Sequence, residues 1–387
     1  MAHISVPNGG NPIYVNGGVD YTNTPYSADG TIEKPYVTIQ GALTAQTSGG
    51  ELFIVAPGTY DGDTINFTAS NQVVRGMADQ PKKVLITSTE TQIINIGAHT
   101  GCSIAKVKCV VSAATSAISI ITGTGDCTFY RTHFSIANAA TIAAVTQPSI
   151  VSGTGTFKFN YGTWEYDNKS AHAPAIKAPA LPGALGKIYI DNLKVTILGS
   201  NAAVVSTLAF DTTGSGIVTL NSSSVTATDA GAQFVVGYAY LNGSGSSECK
   251  NNDIHVTGGT VSAIAVFLLG GTPAVRCMFN HIHVIAGGGT ALSFNVAGGS
   301  LISQGDDIIA ANGYTHTAGT LSIMSSLADG ALTATGNVEA ATFSAAGNAG
   351  LTGTMTVNDS ATINFSLTFV GGILTGHTES GADCAWS

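Results

Sequence analysis

A nine-residue pattern returns seven times through the middle of this chain, and its spacing restricts the fold more than any other feature. CSIAKVKCV begins at Cys102, CTFYRTHFS at Cys127, FKFNYGTWE at Phe157, IYIDNLKVT at Ile188, VTLNSSSVT at Val218, CKNNDIHVT at Cys249 and CMFNHIHVI at Cys277. The starts lie 25, 30, 31, 30, 31 and 28 residues apart. A steady period of that size marks a body built by stacking one supersecondary unit on the next. Aligned without gaps, the first column reads Cys102, Cys127, Phe157, Ile188, Val218, Cys249, Cys277, and the eighth reads Cys109, Phe134, Trp164, Val195, Val225, Val256, Val284. Both are apolar at every level, so both should face a core. The expected fold is all-β, a right-handed parallel β-helix with one coil per repeat.

Other columns refine the coil. The fourth holds Ala105, Tyr130, Asn160, Asp191, Asn221, Asn252 and Asn280, which suits a tight bend entering left-handed backbone, with amides bonding from coil to coil. A second apolar set follows, centred on Ile118, Ile142, Ile176, Val204, Phe234, Ile264 and Leu292. Each coil therefore carries at least two short strands. Cys102, Cys127, Cys249 and Cys277 share one inward column and read as small stacked core residues, not as a disulfide framework.

The two ends differ from this body. Ile13 to Gln46 and Glu51 to Asp63 contain Asp29-Gly30-Thr31, Pro35-Tyr36, Thr38-Ile39-Gln40, Ala42-Leu43 and Val55 with Pro57-Gly58-Thr59-Tyr60. This stretch resembles the start of pectate-lyase-like β-helix proteins. Val37, Ile39, Gln40, Leu43 and Thr44 suit a short helix after Pro35, ended by Gly49-Gly50, that would plug the open end of the stack. From Gly319 to Ser380 the chain changes to alternating strands with Gly and Asn turns. Leu367-Thr368-Phe369 with Gly372-Ile373-Leu374-Thr375 resembles the C-terminal modules of bacteriophage tail fibres and spikes. The division expected is 1–50 strand and capping helix, 51–310 β-helix, and 311–387 a β-rich trimerisation module.

A net charge of −9, with arginine only at Arg75, Arg131 and Arg276, argues against a phosphate-neutralising surface and so against nucleic acid. The first residues lack the charged and apolar regions of a secretory signal, and no apolar run reaches the roughly 18 residues of a spanning helix. Synthesis in the cytoplasm without membrane insertion is the expectation.

Enzymes of the resembled superfamily use clustered carboxylates, as calcium ligands or as an acid and base pair. Here Asp126, Asp191, Asp211, Asp229, Glu248 and Asp253 scatter over different columns. The seventh column is richer: Lys108, His133, Thr163, Lys194, Ser224, His255, His283. It should point outward, either as an ordinary solvated strand face or as a basic stripe toward an acidic glycan or a neighbouring subunit. The candidate surface-binding residues are thus Lys108, His133, Lys194, His255 and His283, with Tyr161 and Tyr166 as aromatic partners. With no third ligand column beside His255 and His283, neither a metal nor a cofactor is expected.

What the phage-like C-terminal resemblance implies, taken with the scattered carboxylates, the low charge and the absent signal, is a non-enzymatic protein on the outside of a bacteriophage virion, as tailspike, tail fibre or capsid decoration. It would be a homotrimer beside other virion proteins, touching host surface polysaccharide. Two alternatives stand: a polysaccharide depolymerase, acting as lyase or glycoside hydrolase, and a bacterial carbohydrate-binding adhesin.

Overall fold

The computed structural model describes residues 11–19, 27–77, 79–89, 92–112, 119–137, 149–168, 180–183, 186–199, 206–214, 217–231, 234–241, 245–269, 271–324, 327–334, 338–340, 353–359, 363–370 and 373–380. Those up to residue 340 form a parallel β-solenoid of the right-handed type. One ladder of parallel strands runs from Leu52–Val55 through Cys102–Ala105 and Ile217–Asn221 to Ala274–Met278. A second, just after it in every coil, runs from Gly58–Asp61 through Lys108–Val111 and Ser224–Asp229 to His281–Ala286. A third face holds Ile94–Asn95, Ser119–Gly123 and Ser149–Gly153 early, and Phe234–Leu241 and Ser262–Leu269 later. Strand alternation sends every second side chain inward, so each core residue is roofed by the same position of the next coil.

The stacking is as the repeat predicts through five segments. Cys127 pairs with Cys102 and Phe157, Ile188 with Phe157 and Val218, and Trp164 lies between Phe134 and Val195, all buried. The register then departs from the gapless alignment by two residues. Val218 pairs with Ser247, and Cys249 pairs with Leu220. Cys249 and Cys277 remain neighbours of each other, in a column two residues beyond that of Cys102 and Cys127. The five described cysteines are all free and buried, as core residues; Cys384 lies outside the described residues. Burial pushes the Cys102 thiol up to about 11 and that of Cys109 to about 12.

Left-handed backbone does recur once per coil, one position later than the fourth column up to Ser222 and, after the two-residue slip, one position earlier at Asn251 and Phe279. Lys106, Arg131, Tyr161, Asn192, Ser222, Asn251 and Phe279 all have φ between 48° and 57°. The position after the bend is inward and carries the amide ladder: Ser223, Asn252, Asn280 and Asp306 are all buried. The Asn252 carboxamide oxygen accepts from the Ser223 N–H at 2.9 Å, and that of Asn280 accepts from the Asn252 N–H at 3.0 Å. Asp306 ends the series, accepting from both the Asn280 N–H and its side-chain amide. Asn160, Asp191 and Asn221 belong to a separate column that continues into Lys250 and Met278. Of the second apolar set, Ile264 and Leu292 are aligned, while Phe234 falls two residues early; Ile118, Ile142, Ile176 and Val204 lie outside the described residues.

At the N-terminus a helix spans Ile39–Ala45. The Thr38 hydroxyl caps it by accepting from the Gly41 N–H, and Asp63 accepts from the free N–H groups of Ile39 and Gln40 at 2.6 and 3.2 Å. Ile39, Ala42 and Leu43 are fully buried. Parallel pairing does not stop at residue 310. It continues through Asp307–Met324, Leu327–Ala334 and Val338–Ala340. Coils there shrink: Leu301 pairs with Leu321, twenty residues on, with register shifts nearby. A separate antiparallel sheet follows, formed by Gly353–Asp359, Ile363–Val370 and Ile373–Ser380.

Candidate functional site

The outer face of the second ladder, with the bend that leads into it, gathers the chemistry-bearing side chains. The register splits the expected stripe into two columns. Lys108, His133, Thr163, Lys194 and Ser224 continue into Asp253, His281 and Asp307. His255 and His283 stand one step along each strand, in the column of Glu165, Thr196 and Thr226.

His133 does not behave as a freely exposed contact. Its side chain is 5% exposed and its Nε2 lies 2.9 Å from the Glu165 carboxylate, itself 46% exposed. Burial lowers its pKa below the usual histidine value; Glu165 opposes this, and Lys108 and Lys82 reinforce it. The unfolded chain holds this proton with an ordinary pKa near 6.5. Unfolding therefore takes up a proton between the folded value and 6.5, so stability is fully present above that window and falls as pH drops through it. Thermal midpoints at about pH 7.5 and about pH 5.5 should fall further apart in the parent than in His133→Gln. Equal falls would refute this account of the buried ring.

Along the bend, aromatic and basic groups alternate. The Arg131 guanidinium carbon stands 5.5 Å from the Tyr130 ring centre, and Tyr130 meets Tyr161 edge-on at 5.8 Å. Tyr161 is 47% exposed. It shares a shallow groove of about 370 Å³ with Asn192, Lys194, Ser222 and Ser224. Tyr161 and Lys194 are thus brought together. The backbone of Tyr166 pairs with those of Ile136 and Ile197.

The cations are gathered at one place that sequence reasoning missed. Asp79 bonds to the Lys106 ammonium, and this contact first, then Arg131 and Arg75 further off, holds its carboxyl below the usual range. The signal was present in the spacing, because Lys106 is 31 residues from Arg75 and 25 from Arg131, one coil each way. Glu248 and Arg276 face each other across the first ladder and line a separate shallow cavity of about 330 Å³.

The far end of the stripe is a histidine and carboxylate cluster. His255 Nε2 lies 2.8 Å from Asp253 Oδ1, and His281 Nδ1 lies 2.9 Å from Asp307 Oδ2. The His255 ring centre stands 5.5 Å from that of His283 and 6.0 Å from that of His281. Sequence reasoning kept His255 and His283 and missed Asp253 and His281, which the alignment already sets together in its fifth column, because only the seventh was read as outward-facing; Asp307 lies beyond the seven segments.

No family model matches this chain, and no curated protein matches it. Among solved structures, the A-module of mannuronan C-5 epimerase AlgE6 from Azotobacter vinelandii is similar over 79% of this chain and 95% of that chain, at 11% identity and a TM-score of 0.30. A likeness of that degree assigns no residue and no activity to this chain.

Proposed function

We propose that this chain is a non-enzymatic surface protein of a bacteriophage particle, a rod whose coil bend holds an anionic host polysaccharide. The observation that supports the binding role is the run of Arg131, Tyr130, Tyr161 and Lys194 along one edge, with Arg75 and Lys106 beside it. Sugar rings pack on exposed tyrosine faces, and uronate or sulfate groups need nearby cations that need not be many. A stacked solenoid holds such groups at fixed intervals, which suits a repeating polymer.

The virion assignment rests on the C-terminal resemblance, and threefold association on the same segment. In this reading the small antiparallel sheet at 353–380 packs against the same sheet of two further copies, since so few residues bury little surface alone. The helix at Ile39–Ala45 closes the first coil in this reading, since an open stack would expose unpaired strand edges.

Polygalacturonate is expected to retain the protein on a column, and neutral dextran to let it pass. Arg131→Asn and Lys194→Ser should each weaken retention roughly fivefold, or about 1 kcal/mol, and salt should weaken it further. Retention equal on both polymers, or indifferent to salt, would defeat the binding role. Sedimentation at one chain mass would remove the trimer. Absence from purified particles by antibody labelling would favour the bacterial adhesin. The depolymerase reading has one favouring observation, the His133 and Glu165 pair beside Lys108, and release of unsaturated uronate ends from the same polymer would establish it.

A further inference from the structure

We propose that Asp253, His255 and His281 form a binding site for a divalent transition-metal ion on the outer face of the solenoid, with Asp307 positioning His281. One ligand atom from each of the three lies within 4.8 Å of the other two. The ladder causes this convergence. Asp253 and His281 are directly paired on adjacent strands, and His255 is two residues along from Asp253, hence on the same face. Asp253 and His255 already bond to each other at 2.8 Å, and an ion bound by both takes the place of that hydrogen bond as the two atoms part slightly.

The donor set decides which ion. Two imidazole nitrogens and one carboxylate oxygen suit zinc or cobalt, whereas calcium and magnesium demand oxygen ligands throughout. The three side chains are 50%, 39% and 45% exposed, so solvent or a ligand can fill the remaining coordination positions. Asp307, one coil further, accepts from the Nδ1–H of His281 at 2.9 Å, which leaves Nε2 as the lone-pair donor. That carboxylate, histidine and metal relay is how outer partners orient metal-bound imidazoles. The groups facing this spot are Asp253, His255, His281, His283 and Asp307, of which His283 stacks beside His255 without belonging to the ligand set. The β-ladder holds the backbone of all three ligands before the ion arrives, so little ordering remains to oppose binding.

The experiment uses the full chain, stripped with a chelator and titrated with zinc chloride by calorimetry and with cobalt chloride by visible absorption. The expected result is one ion per chain with micromolar or tighter affinity, and a cobalt ligand-field band. His255→Ala and His281→Ala should each weaken zinc by at least about tenfold and abolish the band. Asp307→Asn should weaken it by about tenfold through loss of orientation, and His283→Ala should stay within about twofold. All these side chains point outward, so circular dichroism should not change; Asp253→Asn, of equal shape, serves if an alanine variant misfolds. No binding below about 1 mM, or zinc bound equally well by His255→Ala, His281→Ala and Asp253→Asn, overturns the proposal. Polysaccharide retention plays no part in either result.

Discussion

A chain carrying Asn280→Leu is expected to lose about 4 kcal/mol of stability in urea, and one carrying Asn221→Leu less than about 1 kcal/mol. The two asparagines look equivalent in the repeat, yet only the first joins the ladder. Asn280 is buried, and its carboxamide oxygen accepts from both the backbone and side-chain amides of Asn252 at 3.0 Å. Its own NH2 donates to the Cys249 carbonyl at 3.1 Å and to Asp306 at 2.8 Å. Leucine removes every one of these bonds and leaves the Asn252 N–H and the Cys249 carbonyl without those partners in a dry interior. Each buried polar group so stranded costs about 1–3 kcal/mol, and a bond lost to a carboxylate costs more than a neutral one. Asn221 Oδ1, by contrast, has no hydrogen-bond partner among the described residues. Urea midpoints with unchanged slopes would measure both. Similar losses from the two variants would mean that the ladder runs through the fourth column after all.

The reason the alignment merged these columns lies in strand geometry. A slip of one residue turns every apolar side chain out to solvent, so sequence pattern detects it at once. A slip of two keeps inward residues inward, and the hydrophobic columns look equally good. Thus the stacking of Cys102 on Cys127, the inward Trp164 and the helix after Pro35 were all legible, because each depends only on which face a residue occupies. Which residues touch across the outer face depends on absolute register. The slip set Asn252 and Asn280 in the column of Asn221, so that the left-handed residue moves from one place after the fourth column to one place before it; Asp253 and His281 kept their mutual register and went unseen beside His255 only because the fifth column was not read as outward-facing. The fading of the repeat after residue 310 has a different cause. The coil shortens from 28 residues between Ser247 and Val275 to 20 between Leu301 and Leu321, so a thirty-residue template loses phase while the parallel pairing persists.

Phe159→Ala is expected to cost about 4 kcal/mol and to broaden the unfolding transition as well as shift it. The Phe159 ring stacks on Phe129 at 4.7 Å and 9°, and meets the Trp164 indole edge-on at 5.0 Å and 87°. Phe134 closes the set, edge-on to Phe129 at 5.6 Å. All four are buried, so alanine opens a cavity between consecutive coils that rigid ladders on either side cannot collapse to fill. Lost ring pairing adds roughly 1 kcal/mol to the transfer and cavity terms. Phe159→Leu keeps most of the volume and should cost only about 1–2 kcal/mol. The broadening follows from the architecture. In a stack, each coil is held mainly by the coils above and below it, so a weak layer uncouples the two halves. A compact domain would respond to the same cavity with a lower midpoint and an unchanged slope, because its contacts cross-brace the whole core. Unfolding of Phe159→Ala that remained as sharp as the parent's would therefore count against nearest-neighbour stacking as the source of this fold's stability.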